Sequence, residues 1–167
     1  MKFKLVENIN GGHHDVSSNE TLNEVYHFTS LEKFVSILKS DTFKCGYWNN
    51  LSTTTTTKDI PYFTDNVFNV LIVLDYNKLK QEFESQLYTT DVGDDAVDWE
   101  NEIRFNIPKQ IDNFSNYMKG VIIHKKLESD SLLPFILHKI GFETYDDLFD
   151  FIKSKISTVR IEDIKSK

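Results

Sequence analysis

Apolar residues recur along this chain with two different periods, and the periods distinguish its helices from its strands. The clearest helical face repeats every three to four residues and consists of Leu31, Phe34, Val35 and Leu38. We therefore expect a helix over 31–40, starting either at a Thr29-x-x-Glu32 capping box or at Ser30 as N-cap. Weaker patterns of the same kind predict helices over 77–85, 132–140 and 145–156.

Strands are predicted where β-branched and aromatic residues cluster or alternate, namely over 24–28, 42–48, 51–57, 67–76, 99–107 and 117–124. The run over 67–76 is almost continuously apolar, which is typical of a strand buried on both faces. In the strand over 99–107, alternation puts Ile103 and Phe105 on one face and Glu100 and Glu102 on the other. The acidic and polar residues 86–98 are expected to form a loop.

The order of these elements, a strand and a helix, then several strands, then helices, predicts an α+β fold. All 167 residues are expected to form a single domain, 1–167, with a core over about 24–124 and C-terminal helices over about 131–156. A hydrophobic content of 40% is enough for one packed core, which argues against global disorder.

Charge and cysteine content narrow the classes of function. A formal net charge of −7 disfavours non-specific nucleic-acid binding as the main role, because an acidic chain repels phosphate backbones. Cys45 is the single cysteine, so no intrachain disulfide can form, and we expect a small, buried thiol there. With no long apolar run, the chain is expected to be soluble and cytoplasmic, with no membrane partner.

Three groups of polar residues are candidates for chemistry. His27, in the sequence YHFTS, ends the first predicted strand and is followed by Thr29 and Ser30 at a helix N-terminus, where anionic groups such as phosphates are favoured. Ser52, Thr53 and Thr54 could offer hydroxyls to a ligand from a strand. Each group also has a purely structural interpretation, as a strand end, a helix cap or a β-prone surface strand.

The third candidate group is the carboxylate pair Glu100 and Glu102, which share one strand face. Two like charges on one face do little for folding stability, although they also fit a solvated edge strand in which Arg104 neutralises Glu102. No metal site is expected, because no cysteine or carboxylate set with zinc spacing accompanies His13 and His14. The acidic stretch Asp91–Asp98 also lacks the calcium-loop pattern.

In chain order, the three motifs YHFTSLEKFVSIL, LSTTTTT and WENEIRF resemble the histidine-type branch of the ADP-ribosyltransferase superfamily, which includes DarT-like and small phage-encoded proteins. The resemblance covers roughly residues 24–124. It implies a split β-sandwich with flanking helices, with NAD⁺ as substrate in the cleft between two small sheets. It also implies a phage or toxin setting, and a host protein or nucleic acid as the acceptor.

The same resemblance implies a role for each motif. His27 would bind the ADP-side ribose of NAD⁺, with Thr29 and Ser30 beside it. Ser52, Thr53 or Thr54 would support the catalytic glutamate, which is Glu102 in this sequence, and Glu100 would orient the acceptor. Aromatic side chains that could stack on the nicotinamide are Tyr47, Trp48, Tyr62 and Phe63.

One departure from the family pattern keeps a second hypothesis open. Threonines occupy the second motif where many histidine-type members carry a tyrosine, so a catalytically inactive copy of the fold also fits the sequence. In that case the acidic chain would be a binding protein that inhibits a host protein. The presence of only two arginines, Arg104 and Arg160, argues against an RNA 2′-phosphotransferase.

Overall fold

The protein is described by a computed structural model that covers residues 22–46, 49–55, 70–89 and 101–162. It has an α+β fold in which most strands join one seven-stranded sheet. In chain order the strands are β1 (Glu24–Thr29), β2 (Thr42–Lys44), β3 (Asn50–Thr54), β4 (Val70–Asp75), β5 (Ser85–Thr89), β6 (Asn101–Asn106), β7 (Gln110–Asp112), β8 (Met118–His124) and β9 (Val159–Glu162). The α-helices are α1 (Leu31–Ser40), α2 (Tyr76–Glu82), α3 (Leu133–Ile140) and α4 (Tyr145–Lys155).

The strand order in the main sheet is β5-β6-β3-β1-β4-β8-β9, and β2 and β7 form a separate two-stranded sheet. Within the main sheet every pair is antiparallel except β8 with β9, which is parallel. The parallel pair needs a long crossover connection, which the segment containing α3 and α4 supplies. Short 3-10 turns at Phe114–Tyr117 and Lys125–Leu127 flank β8.

The main core lies on the sheet face that α1 and the C-terminal helices cover. Its fully buried members include Phe34, Phe105, Phe114, Leu148 and Ile152. A smaller cluster of Leu71, Val73 and Ile122 lies on the opposite face, with Tyr26 and Phe28 packed against it. Strand β4 contributes to both clusters, which confirms that its continuous apolar run is buried on both faces.

The helix ends follow the local sequence. Helix α1 covers the predicted range, and its N-cap is Ser30, whose Oγ accepts a hydrogen bond from the backbone N–H of Lys33 at 3.3 Å. The Thr29 capping box was therefore a wrong prediction. Thr144 and Asp147 do form a capping box at the start of α4, and Gly141 ends α3 with a φ of 87°.

Three strands and the environment of Cys45 differ from the sequence-based expectations. Residues Ser85–Thr89 form β5, although 86–98 was expected to be a loop, and β7 and β9 were not predicted at all. Cys45 is half-buried, not buried as expected, and its Sγ donates to the backbone carbonyl of Lys109 at 2.8 Å. Within the described ranges, no helix is long and apolar enough to cross a membrane.

Candidate active site

The strands that carry the three candidate motifs are neighbours in the sheet. Strand β3, with Ser52, Thr53 and Thr54, lies between β1, with His27, and β6, with Glu102. These strands are separated in the chain by up to 70 or so residues, but strands that neighbour each other in a sheet are only about 5 Å apart. The fold therefore sets the three motif strands side by side, in the order β6-β3-β1.

The sheet is divided between β1 and β3. Strand β1 pairs with β4 over six residue pairs, and β3 pairs with β6 over five. Between β1 and β3, in contrast, the described residues form a single pair, Tyr26 with Thr54. Among the described residues, the two halves of the sheet thus share one backbone pair, and none is formed by His27, Phe28 or Thr29 with β3.

The side chain of His27 bridges this gap. Its Nδ1 lies 2.8 Å from the backbone carbonyl oxygen of Ser52 on β3. Because a carbonyl can only accept, Nδ1 carries the proton and donates. The edge of the His27 ring also meets Phe43, with centroids 5.1 Å apart and planes at 89°. A side chain thus joins the two strands beyond the one backbone pair found among the described residues.

The electrostatic surroundings keep His27 neutral. Burial lowers its pKa below the usual 6.5, and the nearby positive charge of Lys33 acts in the same direction. The hydrogen bond to Ser52 opposes this shift without reversing it. With Nδ1 protonated in a neutral ring, Nε2 is the acceptor atom, which suits a hydroxyl donor such as that of a ribose.

Thr29 and Ser30, the next two polar residues, have structural roles. Thr29 is the last residue of β1, pairs with Val70 and is 2% exposed. Ser30 caps α1 through its hydroxyl. The sequence YHFTS therefore serves as strand end and helix cap, and it also places His27 at the gap in the sheet.

The hydroxyl residues of β3 differ in exposure. Ser52 is exposed and pairs with Arg104, while its carbonyl accepts the His27 hydrogen bond. Thr53 is 2% exposed, and its Oγ1 donates to the carbonyl of Ile103 at 2.8 Å. Thr54 is 5% exposed and forms the junction between the two halves of the sheet. Thr53 therefore has a hydrogen-bond partner on β6.

Glu102 lies in the same cross-strand row as that junction. Its Cα is paired with Thr54 on one side and with Tyr88 on the other, and Thr54 is paired with Tyr26. The backbone of Glu102 is thus two strands, or about 10 Å, from β1. Glu100, the other predicted catalytic carboxylate, lies outside the described residues, as do the four aromatic candidates for stacking on nicotinamide.

Two features near the site were not predicted from the sequence. Lys33, in the first turn of α1, lies close enough to His27 to lower its pKa. Tyr26 contacts the carboxylate of Glu24 at 3.4 Å and also interacts with Arg160. Burial raises the pKa of Tyr26, Glu24 raises it further, and Arg160 lowers it. Glu24 and Tyr26 are two residues apart on β1 and so share a sheet face, which could have predicted their contact from the sequence. The contact with Arg160 could not be predicted in this way, because it depends on the order of the strands in the sheet.

In the described part of the chain, no three histidine, cysteine or carboxylate side chains are grouped so that they could hold a metal ion. A cavity of about 300 Å³ lies at the C-terminal end of α1, between Leu38, Met118 and Ile156. His27 precedes the opposite end of α1, so this cavity is separate from the candidate active site.

The sequence was also compared with known proteins. It matches neither a protein-family model nor a curated protein.

Proposed function

We propose that this protein is an NAD⁺-dependent mono-ADP-ribosyltransferase that modifies a macromolecule in a phage- or toxin-related setting. The observation that carries the proposal is the order β6-β3-β1, which sets the three motif strands side by side. The division of the sheet at His27 supports it further, because a cleft between two half-sheets is where the family resemblance puts NAD⁺.

In this proposal His27 holds the ADP-side ribose. Its hydrogen bond to Ser52 fixes the orientation of the ring, and burial with the Lys33 charge keeps it neutral. The Nε2 atom then accepts a hydrogen bond from a ribose hydroxyl. A fixed, preorganised acceptor loses little freedom when the ligand binds, so more of the contact contributes to affinity.

Glu102 is the proposed catalytic residue, with Thr54 as its neighbour in the sheet. The bond between C1′ of the ribose and the nicotinamide nitrogen breaks, and nicotinamide leaves with the bonding electron pair. Positive charge develops at C1′, and a preorganised carboxylate stabilises it. A lone pair of the acceptor then forms the new bond to C1′, and the acceptor releases its proton to a base or to water.

A transfer assay tests this proposal. Purified protein is incubated with NAD⁺ and a bacterial lysate, and mass spectrometry follows both free nicotinamide and ADP-ribose on protein or nucleic acid. Glu102→Gln should lower both by about 10²–10³-fold, the usual cost of losing one charge-stabilising group. The control is Glu143→Gln, which changes an exposed glutamate beyond β8 and should retain full activity.

Equal activity of Glu102→Gln and the wild type would refute the assignment of Glu102. A folded wild-type protein that releases no nicotinamide, but binds a lysate protein in a strongly salt-dependent way without NAD⁺, would refute the enzyme proposal. That result would instead support an inactive, acidic binding protein, since screening by salt weakens attraction between opposite charges.

A further inference from the structure

The cavity at the C-terminal end of α1 has an apolar wall built from three parts of the chain. Ile37 and Leu38 contribute from α1, Met118 from the start of β8, and Ile156 from the end of α4. Ile37, Leu38 and Ile156 belong to the main core, yet each retains 7–8% exposure. The volume of about 300 Å³ is at the lower end of the range for small-molecule sites.

A β-bulge gives Met118 its place in this wall. Val73 on β4 pairs with Gly120, but the next residue, Leu74, pairs with Met118, so Lys119 is an extra residue in β8. With regular alternation, Met118 would share a sheet face with Ile122. Ile122 belongs to the smaller cluster, whereas Met118 packs against the main core. The bulge therefore turns Met118 to the helix-covered face, where it lines the cavity.

Two of the charged residues that line the cavity already have partners. Both carboxylate oxygens of Asp41 accept hydrogen bonds from Ser115, one from its N–H and one from its hydroxyl. The ammonium group of Lys119 pairs with the carboxylate of Glu24 at 3.0 Å. These groups complete the wall of the cavity, and their main interactions are made within the protein.

Lys155 and Ser157 are different, and they lie two residues apart on the same side of the cavity. The Lys155 ammonium is 6.0 Å from the centroid of the Phe151 ring, the outer limit of a cation–π contact. Within the described ranges Lys155 has no ion pair, and the hydroxyl of Ser157 has no hydrogen-bond partner. A positive charge and a hydroxyl donor are thus available beside an apolar wall.

We propose that this cavity binds a small monocarboxylate with an apolar body. The carboxylate accepts hydrogen bonds from Lys155 and Ser157, and the apolar body covers Leu38, Met118 and Ile156. One ammonium group balances one negative charge. A phosphate carries more charge than Lys155 can balance, and the carboxylate of Asp41 and the net charge of −7 oppose it further.

This site is independent of the proposed enzyme activity. The cavity lies at the C-terminal end of α1, whereas His27 precedes its N-terminal end. Ligand binding at the cavity and transfer of ADP-ribose can therefore be tested separately, and either can fail without the other.

Titration of the whole protein with hexanoate, followed by NMR of its methyl groups, tests the proposal. The methyl signals of Leu38, Met118 and Ile156 should shift and saturate, with a dissociation constant of about 10⁻⁴–10⁻³ M. Hexanamide has nearly the same shape but no charge, so it should bind the same site about three- to tenfold more weakly.

A pair of lysine variants separates the ligand contact from the effect of charge at the helix end. Lys155→Met removes the ammonium group and should weaken hexanoate binding about three- to tenfold, while hexanamide binding stays unchanged. Lys153→Met is the control. Lys153 is also in the last turn of α4, but its ammonium lies over the Phe149 ring at 4.3 Å and it does not line the cavity. Both lysines are exposed, so both variants should fold.

Leu38→Phe tests the apolar wall, since a larger side chain at this position takes up cavity volume and should weaken binding of both hexanoate and hexanamide. Three results would overturn the proposal. The first is no saturable shift of the three methyl signals up to about 20 mM hexanoate. The second is equal affinity of the wild type for acid and amide. The third is an equal loss of hexanoate affinity in Lys153→Met and Lys155→Met.

Discussion

His27 donates a hydrogen bond from Nδ1 to the backbone carbonyl of Ser52 across 2.8 Å, and this bond spans the division in the main sheet. A side chain therefore supplies a link that a continuous sheet would make with its backbone. Because the ring is held neutral in this position, the stability of the protein should depend on pH through this residue.

The pH dependence has a definite sign. The pKa of His27 is lower in the folded protein than in the unfolded chain, so the unfolded chain binds the proton more readily as pH falls below 6.5. Between these two pKa values the wild type should lose up to about 1.4 kcal/mol of unfolding free energy per pH unit. His27→Gln should be about 1 kcal/mol less stable at pH near 7.5, where a hydrogen bond is lost.

Urea unfolding at several pH values between about 7.5 and 5.5 measures this effect. The difference between the wild type and His27→Gln should narrow as pH falls, because only the wild type has this group to protonate. Parallel curves would show that His27 titrates alike in the folded and unfolded states.

Gly120 is required by the close approach of β8 and β9. A Cβ atom at this position would lie 2.8 Å from the backbone carbonyl of Thr158, the group that accepts from Val121. Gly120→Ala should therefore displace the start of β9 and cost about 1–3 kcal/mol of unfolding free energy. Gly46→Ala, with nothing within 4 Å of its added Cβ, should change stability by less than about 0.5 kcal/mol. Equal unfolding midpoints for the two variants in urea would contradict the steric argument.

Asp41 joins the end of α1 to the turn before β8. Its carboxylate accepts from the N–H of Ser115 at 2.7 Å and from its hydroxyl at 3.0 Å, while its own backbone is left-handed, with a φ of 50°. Asp41→Ala loses both bonds and retains the strained backbone, so we expect a loss of about 2–3 kcal/mol.

Asp41→Gly separates these two contributions. Glycine also loses the carboxylate but tolerates a positive φ, so it should be about 1 kcal/mol more stable than Asp41→Ala. Thermal unfolding of the three proteins gives the order directly. An alanine variant as stable as the glycine variant would mean that the left-handed backbone carries no cost.

Tyr117 should affect stability at alkaline pH. Burial raises its pKa to about 12, and a hydrogen bond to the nearby Glu82 carboxylate and the negative charge of that group contribute in the same direction. Above pH 10 the unfolded chain loses this proton while the folded protein retains it, so the stabilisation declines as pH rises towards 12. The stability advantage of the wild type over Tyr117→Phe should be largest below pH 10 and shrink above it. Chemical unfolding at closely spaced pH values from about 9 upwards would measure how this stability difference changes. A difference between the two proteins that stays constant with pH would show that Tyr117 titrates alike in the folded and unfolded states.

Local patterns predicted the elements whose residues carry strong periodicity. The range of α1 was predicted as observed, because its apolar face, Leu31 to Leu38, is buried against the sheet as the spacing required. In β6, Ile103 and Phe105 are buried on the core face, as alternation indicated. Strands β5 and β9 were missed because they are short: β9 alternates apolar and charged residues, but over only four positions. They form by pairing with β6 and β8 at the two edges of the sheet.

The sequence alone determined the α+β class, the amphipathic helices, the apolar central strand and three candidate motifs, since each depends on residues close together in the chain. Tertiary structure alone decided that the motif strands are neighbours in the order β6-β3-β1 and that His27 reaches Ser52. It also decided that β1 and β3 form a single backbone pair among the described residues. These relationships connect residues far apart in the chain, and their energy comes from burial and strand pairing across the whole sheet. No local pattern encodes them.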